Sequence, residues 1–261
     1  MNKIKKIRNF IVVSLLMAYM IVVLGLTSDN SEDRICNAIH IHILDSLENR
    51  LMTEEDILGI IEKGEGQILG YPVGEINIRT MENNLKSYPY IKKAEVFICV
   101  DGSLRVDIEQ RRPVMRVINR YQESYYLASD GTIMPLSRTF TPRVLVANGN
   151  VGRWDGFMNV LKNEVAGDNE MILSLYRIAR FVDQDDFWKA QIEQIYVDSS
   201  GELELIPRVG AHIIEFGKPV DFDRKFRNLM AFYEQGLEIT GWNRYERISL
   251  KYEGQVVCTL R

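Results

Sequence analysis

The feature that most constrains this chain is an uncharged run of 17 residues, Phe10 to Leu26, entered through four cations (Lys3, Lys5, Lys6, Arg8) and no acid. As a helix rising about 1.5 Å per residue it spans roughly 26 Å, just enough to cross a hydrocarbon core. Asp29, Glu32 and Asp33 follow directly. Cations before and acids after predict a short cytoplasmic tail over residues 1–9, a single transmembrane helix over 10–26, and everything after Thr27 outside. The rival is a cleaved signal peptide, whose apolar region holds about 7–15 residues and ends at a small-x-small site. This run is longer, and its exit, GLTSDN, offers a poor site. A lipoprotein is disfavoured because Cys36 follows Asp33-Arg34-Ile35 rather than an apolar stretch.

Charge divides the chain. Without the four N-terminal cations, 28 of the 32 Lys and Arg remain against 36 acids, a net −8 beyond Leu26. An acidic exterior with no basic block is a poor nucleic-acid binder. The densest basic stretch, QRRPVMRVINR, carries Arg111, Arg112, Arg116 and Arg120. It reads as a solvated strand face, with contact to anionic head groups or cell-wall polymer as the alternative. The chain has three cysteines, an odd count that leaves at least one thiol free in an exported protein. Cys36 and Cys99 share the polar parity of their strands, which leaves a disulfide between them open, and Cys258 reads as a small buried hydrophobe. Cys36, His40 and His42 fall on one face, but a fourth zinc ligand is missing.

The exterior begins with a short strand in which Ile39, Ile41 and Ile43 alternate with His40 and His42. In LMTEEDILGIIEKGEG, Thr53 is a good N-cap, Glu54, Glu55 and Asp56 sit at the positive end of the helix dipole, and Ile57, Ile60 and Ile61 form an apolar stripe. Gly64 and Gly66 are expected to end this helix. A second helix is predicted from about Thr80 to Ser87, before Pro89. IKKAEVFICV-DG-SLRVDIEQ is a hairpin turning at Asp101-Gly102, with Val96, Ile98, Val100, Leu104, Val106 and Ile108 toward the core. Strand, helix, helix, strand, strand over residues 34–110 makes a compact α+β unit of one helix layer on one sheet.

From residue 111 to 261 short strands dominate: PVMRVIN, SYYLA, TIMPL after a turn at Asp130-Gly131, RVLVA, IEQIYV, ELELI and HIIEFG. Two helices interrupt them. One runs from about Asn169 to Val182 with Ile172, Leu175, Tyr176, Ile178 and Ala179 on one side. The other runs from about Asp221 to Tyr233 with Phe222, Phe226, Leu229, Met230 and Tyr233. A β-rich unit with two helices packed on a twisted sheet is expected.

Catalytic signatures are missing. There is no GxxxxGK[ST] and no HExxH, and no serine or cysteine motif marks a nucleophile for the three histidines. Asp185-Asp186 and Asp221/Asp223 read as caps and dipole partners rather than a glycosidase pair. The sequence therefore points to binding rather than catalysis, with no cofactor and no metal.

The last stretch, RYERISLKYEGQVVCTLR, keeps one parity. Ile248, Leu250, Tyr252, Val256, Cys258 and Leu260 are the apolar set, and a two-residue turn at Glu253-Gly254 would reverse that parity. One long strand, bent at Gly254, is predicted, with no later segment to cover its free side. An open edge offers unpaired N–H and C=O groups to a partner strand. The expected partner-binding residues are Lys251, Tyr252, Glu253, Gly254, Gln255, Val256, Val257 and Cys258, with Lys251, Glu253 and Val257 outward. The alternative is a strand that merely completes the sheet.

Four stretches resemble the bacterial cell-division family FtsQ, also called DivIB. VDIEQRRPVMRVI is similar to the junction where the family's POTRA domain meets its β domain. YYLASDGTIMPL resembles the family hairpin, HIIEFGKP the strand before the last helix, and RISLKYEGQVV the terminal strand. Ser249 and Lys251 stand where the family often has aspartate and arginine. The resemblance implies a short cytoplasmic tail, one span in the inner membrane, a POTRA domain over 34–110, a β domain over 111–261, and no enzyme activity. It implies a bitopic scaffold at the division septum that binds the small proteins FtsB/DivIC and FtsL and through them influences septal peptidoglycan synthesis. It also places a binding tyrosine at Tyr252, where parity places a core residue. The other readings are a membrane-anchored envelope hydrolase and a POTRA-containing outer-membrane assembly factor, which needs a long C-terminal barrel.

Overall fold

The computed structural model describes residues 2–26, 34–44, 50–153, 159–162 and 168–261. The acidic exit at Asp29, Glu32 and Asp33 lies outside them. Helix α1 runs from Asn2 to Leu26, 25 residues. Residues 11–23 are exposed all round, although every one of them except Ser14 is apolar. Among the described residues no helix is long and apolar enough to cross a membrane.

The first unit holds β1 (Ile39–Ile43), α2 (Glu54–Glu65), α3 (Ile78–Lys86), β2 (Ile91–Ile98) and β3 (Leu104–Gln110). The sheet order is β1-β3-β2, with β1 parallel and β2 antiparallel to β3. Thr53 caps α2 in a reciprocal box: its hydroxyl accepts from Asp56 N–H, and Asp56 Oδ2 accepts from Thr53 N–H at 2.8 Å. That fixes the helix phase, so Ile57, Ile60 and Ile61 are buried. Gly64 lies inside α2 and Gly66 caps its end. Asn77, rather than a residue near Thr80, starts α3.

Leu104, Val106 and Ile108 are buried as expected, but Ile98 is 38% and Val100 88% exposed. Regular alternation ends with β2, and Val100 lies beyond the last paired residue, in the turn that Gly102 closes at φ +85. All three cysteines are free. Cys36 is buried, not on a solvated strand face, and no disulfide joins it to Cys99. Among the described residues no group of His, Cys, Asp and Glu could hold a metal, including Cys36, His40 and His42.

The second unit is one open sheet of nine strands. In chain order they are β4 (Pro113–Ile118), β5 (Ser124–Ala128), β6 (Ile133–Met134), β7 (Leu145–Gly149), β8 (Ile192–Val197), β9 (Leu203–Pro207), β10 (Ile213–Gly217), β11 (Tyr245–Ser249) and β12 (Val257–Leu260). Their spatial order is β12-β11-β10-β9-β8-β7-β4-β5-β6. Pairs β7·β8 and β10·β11 are parallel, and parallel neighbours need crossovers of a dozen or more residues. Helices α4 (Asp168–Asp183) and α5 (Asp186–Gln191) serve the first crossover. Helix α6 (Phe222–Phe232), a π-helical turn (Tyr233–Leu237) and α7 (Glu238–Thr240) serve the second. The helices meet through Phe181 stacked on Phe226 at 4.7 Å and Trp188 against Phe226 at 4.8 Å. Two helices were expected where the described residues of the second unit hold four. Six-residue α5 is too short to show a helical period, and Asp185 Oδ1 caps it by accepting from Phe187 N–H and Trp188 N–H.

The units join at Arg111. Its guanidinium pairs with Asp130 at 3.0 Å and donates to Pro89 O at 2.9 Å and to Ile91 O. Arg112 binds Asp183 through two bonds, 2.8 and 2.5 Å long, and Arg120 lies 5.0 Å from the Tyr121 ring. Arg112 and Arg120 remain exposed while Arg111 and Arg116 are half-buried, so the stretch combines a solvated face with ion pairs that tie it to Asp130 and Asp183. Leu51, Tyr126, Ala128 and Met134 form a small apolar cluster at the join, and Tyr90 O–H donates to Leu136 O at 3.1 Å.

Candidate partner-binding edge

The predicted single strand is two strands. β11 and β12 form an antiparallel hairpin with Ser249 opposite Val257, Ile248 opposite Cys258 and Arg247 opposite Thr259. Residues 250–256 connect them. A connection of seven residues has odd length, so it returns the chain with its parity unchanged. The parity argument excluded only loops of even length, such as a turn at Glu253-Gly254, and could not see this one.

The hairpin moves the free rim one strand outward. β11 is flanked on both sides, by parallel β10 and by β12, so its edge is already occupied by the chain's own backbone. β12 is the edge strand at this end of the sheet. Leu250 N–H donates to Glu215 O on β10 at 2.9 Å, so residues of even number on β11 turn their backbone toward β10. Arg247 and Ser249 then turn theirs toward β12, where Thr259 and Val257 meet them. Arg261 N–H, of the same parity, donates to Arg244 O at 3.1 Å. By alternation, the N–H and C=O groups of Cys258 and Leu260 point outward, with no strand beside them in this sheet.

The eight expected residues fall on the connection and the start of β12. Lys251 is tied to the sheet, its ammonium 2.6 Å from Glu202, and that bond raises its pKa. Its stem lies over Gly217, where a Cβ would stand 2.9 Å from Lys251 Cγ. Tyr252 is 55% exposed, so parity misplaced it in the core; the loop takes it out of the pleat. Glu253 pairs with Arg224, which also holds Asp221 at 2.7 Å. Gly254 sits at φ +71 with nothing within 4 Å of a Cβ, and Gln255 is exposed. Val256 and Cys258 are half-buried against the core, and burial raises the Cys258 thiol pKa. Val257 is 43% exposed.

Two contributors escaped the sequence reading. Leu260 is 58% exposed beside the outward amides, although parity had placed it in the core. Arg247 bridges Glu204 on β9 and Glu215 on β10, two carboxylates in register on adjacent strands. Those bonds hold four strands' worth of register at this end of the sheet: β9, β10 and β11 directly, and β12 through the Arg247–Thr259 pairing. Nothing in the alternating pattern identifies Arg247 as a cross-strand clamp.

A family model described as FtsQ/DivIB, C-terminal related, matches residues 112–259, more than half of the chain. The chain belongs to the FtsQ/DivIB family. A second model, a POTRA-like domain, matches residues 34–109. A curated relative named cell division protein FtsQ, from Rhodothermus marinus, is 24% identical over 223 residues, 81% of this chain and 78% of the relative. The family's C-terminal model thus spans the nine-stranded sheet into β12, one of its two edge strands.

Proposed function

We propose that this is a cell-division protein that works as a membrane-anchored scaffold, taking an extended segment of a partner onto the outer edge of β12. The observation that carries the reading is the pair of outward backbone groups at Cys258 and Leu260, in a chain of the FtsQ/DivIB family. Main-chain bonds to that edge supply affinity. The exposed Tyr252, Val257 and Leu260 supply apolar contact, and Glu253 with Arg224 supplies charge selection. The partner class is the FtsB/DivIC-like and FtsL-like division proteins, which connect the scaffold to septal peptidoglycan synthesis.

Helix α1 is the anchor in this reading, with the N-terminus cytoplasmic and the two sheets extracytoplasmic at the septum. Its all-round apolar exposure over residues 11–23 supports this, because such a surface is disfavoured in water. No catalytic role is proposed: Asp185 caps α5, Asp221 pairs with Arg224, and His212 is buried. The sheet is open at β12 and β6, unlike the closed barrel of an outer-membrane assembly factor.

A fluorescent fusion of the full chain in dividing cells tests the reading. The wild type concentrates at the septum with its FtsB/DivIC-type partner. Leu260→Pro concentrates there and leaves the partner dispersed. A wild-type signal spread evenly over the cell envelope contradicts the division role, and normal partner recruitment by Leu260→Pro contradicts the edge.

A further inference from the structure

We propose that the end of the first unit at which the chain enters is a bilayer-contacting surface, built from Ile35, Leu69, Tyr71 and Val100. This rests on the reading of α1 as an anchor. Three stretches converge there. Ile35 bridges Pro72, Cys36 N–H donates to Tyr71 O at 2.7 Å, and Gly70 N–H donates to Cys36 O at 2.8 Å. Val73 N–H donates to Arg34 O at 2.7 Å, and the Arg34 guanidinium donates to Val100 O. Asn37 Nδ2 donates to Asp101 O at 2.8 Å.

The core takes Cys36 and Val73, 1% and 5% exposed, from these stretches. The residues beside them face water: Ile35 59%, Leu69 48%, Tyr71 57% and Val100 88% exposed. Four large apolar side chains gathered at one end of a small unit mark a contact surface rather than scattered exposure. Their chemistry suits the head-group boundary, where aliphatic groups enter the acyl region and a tyrosine keeps its hydroxyl wet. Arg34 and Asp101 flank the patch with opposite charges, so apolar burial rather than net charge drives the contact.

The tether identifies the occupant. Eight peptide steps separate Leu26, the last residue of α1, from Arg34. At about 3.6 Å per step they hold the patch within about 29 Å of the end of α1. An anchored α1 therefore keeps Ile35 and its neighbours close to the outer face of the bilayer, at high effective concentration.

The test uses the full chain in lipid nanodiscs, with Cys36→Ala, Cys99→Ser and Cys258→Ser removing the native thiols. One chain carries bimane on Val100→Cys, another on Leu16→Cys within α1. Quenching is read with nitroxide on the head group for the first and deep in the acyl chain for the second. Both probes are expected to be quenched, at low and high salt alike. Adding Ile35→Ser, Leu69→Ser and Tyr71→Ser is expected to abolish quenching at 100 and leave quenching at 16 intact. A quenched probe at 16 with an unquenched probe at 100 overturns the surface and leaves the anchor standing. An unquenched probe at 16 overturns the anchor and, with it, this proposal.

Discussion

Ile248 of β11 and Cys258 of β12 stand opposite one another across the terminal hairpin. That register decides which amides of β12 serve the fold and which are offered outward. Proline separates the two classes, because it removes one N–H donor from a strand. Val257→Pro is expected to destabilise the protein by about 1–3 kcal/mol, since its amide meets β11. Leu260→Pro is expected to lie within about 1 kcal/mol of wild type, since its amide meets no strand. Urea unfolding of both variants checks this, and equal losses would place the outward amides wrongly.

Two glycines make contrasting demands. Gly254, at φ +71, has open space around it, so Gly254→Ala carries only the strain of the left-handed backbone, about 1 kcal/mol. Gly149, at φ +100, would set a Cβ 2.2 Å from Val197 O on β8. Gly149→Ala is expected to destabilise by about 3 kcal/mol or more. Thermal unfolding orders the two variants, with Gly149→Ala much the lower.

His212 gives the fold an acid-sensitive point. It is 2% exposed, its Nε2 lies 3.1 Å from Tyr233 Oη, and burial lowers its pKa below 6.5. Burial also pushes the Tyr233 hydroxyl up to about 12. A base whose folded pKa is depressed is protonated first in the unfolded chain. Its neutral form therefore supports the fold fully above about pH 6.5, and that support is lost as the pH falls below it. Stability is expected to drop by up to about 1.4 kcal/mol per pH unit there. His212→Gln should flatten the slope between pH 7 and 5, measured by denaturant titration at each pH.

Arg111 couples the two units through Asp130 and main-chain carbonyls of the segment before and into β2. Arg111→Ala is expected to lower stability by about 2 kcal/mol, because charge-assisted bonds are lost and Asp130 is left without its cation. Arg111→Lys recovers little, since an ammonium cannot span the same acceptors. Limited proteolysis near residue 111 should quicken in both variants.

Local chemistry was legible where one element carried its own signal. Thr53 with Asp56, the Ile57-Ile60-Ile61 stripe and the alternation of Leu104, Val106 and Ile108 are each complete within a few residues. The strand content of the second unit was legible for the same reason. The failures share a different cause. Val100 and Tyr252 were assigned by extending a pleat past the point where pairing stops. The β11–β12 hairpin was hidden because an odd connection preserves parity. The Arg247 bridge depends on β9 and β10 lying beside β11, a relation set by the crossover of α6. The free edge lies on β12, one strand beyond the strand the parity pattern pointed to.

Hydrogen–deuterium exchange of the β12 amides, with and without a saturating FtsB/DivIC-type partner segment, tests the central claim most directly. In the free protein Val257 and Thr259 are expected to exchange slowly, and Cys258 and Leu260 fast. Partner binding is predicted to slow Cys258 and Leu260 by at least about tenfold, the effect of roughly 1.4 kcal/mol of added protection. A bound partner that leaves those two amides exchanging at their free rates would contradict strand addition at this edge.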